Sequence, residues 1–400
     1  MKIAKVEAMV LKSPGLYRNP EGAAESPGPA FMGLVKVTTD NGIVGYSDME
    51  TAAPVAKAAI EAPQWSEEGL ELFEGLARLV EGENPLETER LWYKMYRGSI
   101  YYGRRGVAIQ AISAIDIALW DIAGKVYQQP VHILLGAKWR ERVRAYASTL
   151  FRKTPDDMRE ATRHYLGLGF TAVKFGWGGF GEDLAKDLSL LEAAREELGD
   201  QRDLLVDTGW LVERTAKEAI QLVKSMAPYR PYLVEEPLHP EHYDSYRQLA
   251  ENVDTLIACG EQEATEWGFR ELIERGKVDV LQPDLTRCGG LTAARRIVHM
   301  AERANILVIP HSWCSDLLTA ASLHLTAYMR RAPFVEFNTS TGPLSRDLAL
   351  NPIRLRDGYL EVPSGPGLGV EVNEELAQRH AFKFWEAPHL HRTDGSYTNW

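Results

Sequence analysis

Apolar and polar residues alternate at the start of the chain. MKIAKVEAMVLK (1–12) and residues 33–46 carry this two-residue period, with Val35 and Val37 against Lys36 and Thr38, and Asp40-Asn41-Gly42 before Ile43 and Val44 reads as a hairpin turn. Between the two strands, SPGLYRNPEGAAESPGPAF (13–31) is too rich in Pro and Gly for regular structure and reads as a lid. The period then lengthens. Helical patterns follow near 66–82, 86–97 and 106–124, the last with Ile112, Ile115, Leu119 and Ile122 on one apolar stripe.

After Gly136 the texture changes to short β-rich runs separated by amphipathic stretches. The runs are VRAYAST (143–149), TAVKFG (171–176), DLLVDTG (203–209), YLVEEP (232–237), LIACGE (256–261), VDVLQPD (278–284), ILVIPHS (306–312) and FVEFNT (334–339). Their starts differ by 28, 32, 29, 24, 22, 28 and 28 residues, about what one strand, one helix and two loops consume. Eight such units predict a closed parallel barrel rather than an open sheet. From about residue 355 the rhythm is lost, and this tail is expected to pack back on the N-terminal lobe.

Composition adds limits rather than a function. A chain of 400 residues, 45% hydrophobic and 25% charged, has room for two domains and the ordinary mix of a globular protein. The formal net charge of -11 argues against nucleic acid and anionic lipid as partners but leaves an anionic small substrate open, because local cations can reverse the field inside a cleft. Cys259, Cys288 and Cys314 form no CxxC pair and are expected to be buried, inert thiols. The N-terminus lacks a basic segment followed by an apolar run, and no later stretch reads as long enough to span a bilayer, so a cytoplasmic location is expected.

The chemistry gathers at the C-terminal ends of the runs: Lys174, Asp207, Glu235, Glu261, Asp284, His311 and Glu336. In a parallel barrel those ends converge on one mouth. A lone acid there is more often an ion-pair or capping residue, but three carboxylates on adjacent strands repel one another unless a cation sits between them. Asp207, Glu235 and Glu261 supply hard oxygen ligands that suit Mg²⁺, with Mn²⁺ as the substitute, better than Zn²⁺. Asp284, on the strand before His311, is placed to bond one ring nitrogen and raise the basicity of the other, making His311 a candidate general base.

With these residues in view the chain resembles the enolase superfamily, and within it the mandelate-racemase-like subgroup. The resemblance rests on AISAIDIALWDIAGK (111–125), VKFG (173–176), VDTGW (206–210), VEEP (234–237), CGE (259–261), QPDLTRCGG (282–290), PHS (310–312), EFNTS (336–340) and PGLGVE (366–371). It implies a (β/α)₇β TIM-like barrel over 136–355, an α+β capping domain over 1–135, and a C-terminal segment, 356–400, returning to the cap. It implies Asp207, Glu235 and Glu261 as metal ligands and Asp284 and His311 as the dyad, and leaves Glu236 outside the ligand set. Lys174 would contact the substrate carboxylate, and a protonated Glu336 would hydrogen-bond it. A homo-oligomer acting on a small acid sugar is the implied assembly, and proton abstraction next to a carboxylate, through an enediolate, is the implied chemistry.

Two departures bear on the reaction. Where many relatives carry Lys-x-Lys, this chain has Lys174-Phe175-Gly176, so glycine stands at the position of a second base; and Gly209 stands where some relatives place an acid. Racemisation needs groups on both faces, whereas elimination can use one. The sequence therefore favours a dehydratase of an aldonic or aldaric acid, with His311 removing the C2 proton and returning it to the departing 3-hydroxyl. A racemase using a mobile Lys174 and an inactive metal-binding scaffold are the alternatives. Trp177 and Trp210 are candidate cavity walls, Arg104 and Arg105 are assigned no function, and Gly289-Gly290 reads as a plain strand-to-helix turn.

Overall fold

The structure, a computed structural model, describes residues 1–13, 31–50, 52–64, 74–178, 180, 181, 183–210, 212–383, 394 and 396. Most of the lid expected at 13–31, and much of the helix expected at 66–82, lie outside them. Strands β1 (Ile3–Lys12), β2 (Phe31–Thr39) and β3 (Val44–Met49) form an antiparallel sheet in that order. The hairpin turn expected at Asp40-Asn41-Gly42 is present, with Gly42 at φ 86°. The stretch after β3 holds a helix over Ala53–Glu61, which opens with Ala-Pro and to which the sequence reading assigned no element.

Helix Val107–Tyr127 explains how the cap and the barrel become one body. Its stripe Ile112, Ile115, Leu119 and Ile122 packs in the cap core, while Ile117 and Trp120 belong to the barrel core. A helix buried on all sides is apolar on all sides. Contrary to the sequence reading, it is long and apolar enough to cross a membrane, but 89% of its apolar window is buried inside the protein, as a core helix requires.

The barrel strands are β4 (Arg142–Leu150), β5 (Ala172–Gly176), β6 (Asp203–Asp207), β7 (Pro231–Glu235), β8 (Leu256–Cys259), β9 (Val280–Leu281), β10 (Leu307–Val308) and β11 (Val335–Asn338). They pair in parallel from β4 to β10 in chain order, with β11 on the other side of β4. Tyr146, Ala172, Leu205, Leu233, Ala258, Val280, Ile309 and Phe334, one from each strand or its immediate edge, pack into one buried cluster. Side chains from both edges of the sheet meet there, so the sheet is rolled into a (β/α)₇β barrel with a filled interior.

β9 and β10 are shorter than the runs that predicted them because Pro283 and Pro310 follow almost at once. Proline has no N–H to continue a ladder, and the chain is released into the loops that carry Asp284 and His311. The C-terminal segment only partly follows expectation. Strand β13 (Tyr359–Glu361), paired with β12 (Leu355–Arg356), adds antiparallel to β4 of the barrel. Only beyond it does the chain return to the cap, where Ala381 bridges Leu11 and Glu374 pairs with Lys36.

Candidate active site

Strand alternation dictates where the chemistry falls. A residue two positions beyond an inward-facing one also faces inward, one layer nearer the C-terminal mouth. That step from the interior cluster reaches Ser148, Lys174, Asp207, Glu235, Gln282, His311 and Glu336, every one of them buried. On β8 it reaches Gly260, whose φ of 131° turns the chain so that Glu261, one residue further, faces the cavity instead. The cavity is about 370 Å³ and is lined by Lys174, Asp207, Glu261, His311 and Glu336 together with Trp177, Trp313, Glu50 and Arg287. A larger cleft of about 1250 Å³, between the cap and the C-terminal segment, contains none of the predicted residues.

Lys174 is the central cation. Its ammonium lies 2.8 Å from Glu235 and 2.8 Å from Glu336, with only 3% of the side chain exposed. Burial alone lowers its pKa, but the carboxylates of Glu235 and Glu336 outweigh that and hold it well above the usual lysine value. Glu336 also accepts a hydrogen bond from Ser312 N at 2.7 Å. Burial pushes its carboxyl up, and Lys174 and then His311 overcome this to bring it to about 2. The expectation of a protonated Glu336 is therefore corrected: beside Lys174 it is a carboxylate and can only accept.

His311 stands between two acids. Nδ1 lies 2.7 Å from Asp284 Oδ2, and Nε2 lies 3.1 Å from Glu261 Oε2. Asp284 is fixed in turn by Thr286, whose backbone N–H and hydroxyl donate to Oδ1 at 2.7 and 2.6 Å. Burial lowers the imidazole pKa, while Glu261, Glu336 and the Asp284 hydrogen bond raise it further, to about 10. In this arrangement the ring is an imidazolium donating to both carboxylates.

The acids carry more negative charge than these partners offset. Asp207, Glu235 and Glu236 are all pushed up, first by burial and then by neighbouring carboxylates: Glu235 for Asp207, Glu336 for Glu235 and Glu261 for Glu236. Among the described residues Asp207 accepts one hydrogen bond, from Gly209 N at 2.9 Å. Asp207 and Glu235, buried oxygen donors with unmet demand for positive charge, fit a hard divalent cation, with Glu261, which burial pushes up but His311 and Arg287 bring down, as the third donor. A different trio, Glu50, Asp284 and His311, brings its ligand atoms within 4.8 Å of one another. Its positive charge is already supplied by Arg287, which lies 2.5 Å from Glu50 and 3.9 Å from Asp284.

Glu50, Arg287, Ser148 and Gln282 were not singled out from the sequence. Arg287 had a usable signal: it follows Asp284 at i+3 in the QPDLTRCGG motif, within reach of the same carboxylate. Glu50 had none, since only the docking of the cap brings it to the barrel. Trp177 lines the cavity as one candidate wall, whereas Trp210 packs edge-on against His239 at 6.1 Å. Arg105 forms an exposed ion pair with Glu241 at 3.1 Å. The three cysteines are free and buried, as expected.

Comparison with known proteins gives the frame for this geometry. The profile described as "Enolase C-terminal domain-like" matches residues 157–376, and that of the "Mandelate racemase / muconate lactonizing enzyme, N-terminal domain" matches residues 6–136. The D-galactarolactone cycloisomerase of Agrobacterium fabrum is 32% identical over 356 residues, covering 86% of this chain and 89% of its own. The D-galactonate dehydratase of Cronobacter sakazakii is 32% identical over 389 residues, covering 93% and 97%. The crystal structure of the 3,6-anhydro-D-galactonate cycloisomerase of Zobellia galactanivorans superposes with a TM-score of 0.84 at 32% identity, over 96% of this chain and 100% of that one. With both its cap and its barrel matched, the chain belongs to the enolase superfamily, in the mandelate racemase-like branch.

Proposed function

We propose that this chain is a Mg²⁺-dependent dehydratase of an acid sugar, taking the proton next to the carboxylate of an aldonic or aldaric acid and expelling the 3-hydroxyl to give a 2-keto-3-deoxy acid. The observation that carries this reading is Gly176. A Cβ at that position would lie 2.6 Å from Asp207 Oδ2 and 2.9 Å from Asp207 Cβ, so the place of a second base is filled by the first proposed ligand. Lys174 is no substitute, because Glu336, which is not among the proposed ligands, lies 2.8 Å from its ammonium and holds its proton. One base on one face suits elimination and not racemisation.

In this mechanism the cation, when bound, offsets the charge that develops on the substrate carboxylate. Lys174 donates to the same carboxylate, and Glu336 keeps Lys174 aimed at it. Asp207, Glu235 and Glu261 would hold the cation, which would supply positive charge beside Glu261, and His311 acts as the base with Asp284 fixing its orientation. His311 takes the C2 proton and returns it to the 3-hydroxyl as the C3–O bond breaks, releasing water and leaving an enol that ketonises.

A second reading rests on relatives named as cycloisomerases. If the β-oxygen belongs to a ring, the same proton removal and C–O cleavage opens the ring and gives an isomer instead of water. A panel of aldonic acids, aldaric acids and their lactones with Mg²⁺, followed by NMR, separates the two by product. His311→Asn is expected to retain Mn²⁺ binding and lose at least about a thousandfold in kcat; product formation at the parental rate would sink the assignment.

A further inference from the structure

The cap contributes none of the proposed ligands or dyad residues, yet one of its side chains reaches them. Glu50 lies one residue beyond β3, whose end is pinned to the barrel. Asp48 Oδ2 accepts from Ser315 N at 3.0 Å and Ser315 Oγ at 2.5 Å, at the start of helix Asp316–Tyr328. So anchored, Glu50 faces the cavity and takes the Arg287 guanidinium at 2.5 Å.

Arg287 is 7% exposed and meets acids on its other edges as well. Its Nη1 lies 3.3 Å from both the carbonyl and the Oε1 of Glu261, and its Nε lies 3.9 Å from Asp284. A buried guanidinium demands a carboxylate. The closest one here is from the cap, which leaves the longer contacts to the proposed ligand and the dyad acid.

We propose that Glu50 is a positioning residue, the cap-borne counter-anion that keeps Arg287 from claiming Glu261 and so leaves that carboxylate to the metal. The inference rests on the assignment of Glu261 as a metal ligand. Without the Glu50 charge, Arg287 closes on Glu261 and competes with the cation for it. Because Glu50 comes from the cap and the acids from the barrel, metal affinity depends on the cap being seated.

The test measures Mn²⁺ affinity by electron paramagnetic resonance, without substrate, in the full-length protein. Glu50→Gln is expected to weaken Mn²⁺ binding about tenfold, in the range found when groups supporting a metal ligand are removed. Glu50→Asp, which keeps the charge, is expected to restore most of it. The double variant E50Q/R287Q is expected to recover affinity, because the competing cation is gone; thermal melting of each variant reports whether it folds. An unchanged Kd in Glu50→Gln overturns the proposal, as does a double variant no tighter than Glu50→Gln. Should the parent and D207N bind Mn²⁺ equally, the metal assignment fails instead. Tight parental binding that is lost in D207N and unmoved in E50Q isolates the failure to Glu50.

Discussion

At the residue scale, the outcome turns on side chains whose surroundings leave them one role. Gly176 is the sharpest case, because any side chain there meets Asp207. Gly176→Ala is therefore expected to displace Asp207 and weaken Mn²⁺ binding at least about tenfold while leaving the melting temperature within a few degrees; a variant with parental Kd would show that the site tolerates the methyl. Most of this set was legible in the sequence, because inward residues recur at fixed steps from strand ends and their types are chemically unusual for a barrel interior. The protonation of Glu336 was not legible. It depends on a 2.8 Å contact with Lys174, two strands of one barrel brought together by closure, and no spacing in the chain reports that.

At the element scale, the loop after β9 is held mainly by the cap. Gly289 N donates to Ser113 Oγ at 2.8 Å, Trp92 Nε1 donates to Gly289 O at 2.7 Å, and Asp116 accepts from Thr292 N and Oγ1 at 2.9 and 2.6 Å. Gly290, at φ 76°, admits Asp116 because a Cβ would come within 2.3 Å of its carboxylate. Asp116→Ala leaves a buried helix N-terminus without its acceptor and is expected to cost about 2–3 kcal/mol. Urea denaturation checks this, and a loss under about 0.5 kcal/mol would mean water replaces the carboxylate. The Gly-Gly pair was read correctly as a turn, but its partner on a cap helix was invisible. The eight-unit rhythm was legible because each strand and each helix repeats its own period. Ala53–Glu61 was missed for the opposite reason: it is 9 residues long, too few turns for a period to show, and its buried face of Ala53, Ala56 and Ile60 carries one large apolar side chain.

At the scale of the whole molecule, cap, barrel and C-terminal segment are fastened at a buried histidine pair. His324 Nε2 donates to Leu368 O at 3.1 Å, so its Nδ1 accepts from His132 Nδ1 at 2.9 Å, and the His324 ring is neutral. Burial lowers both, His132 to about 4 and His324 to about 3. Their folded values lie below the ordinary histidine value, so the stability they confer is complete above about pH 6.5 and drains as pH falls towards about 4, by up to about 1.4 kcal/mol per histidine per pH unit. Against the double variant H132Q/H324L, the parent's advantage in urea is expected to shrink steadily over that window; a constant advantage would mean the pair is not held neutral. At this scale too belongs the proposed reaction, in which one base, His311, would work on one face of an acid sugar in a metal-dependent elimination. NMR of the parental enzyme with Mg²⁺ and the acid-sugar panel in D₂O tests it most directly. The expected product is a 2-keto-3-deoxy acid carrying deuterium at C3, formed only with the divalent cation. Recovered substrate inverted and deuterated at C2, with no keto acid, would contradict it.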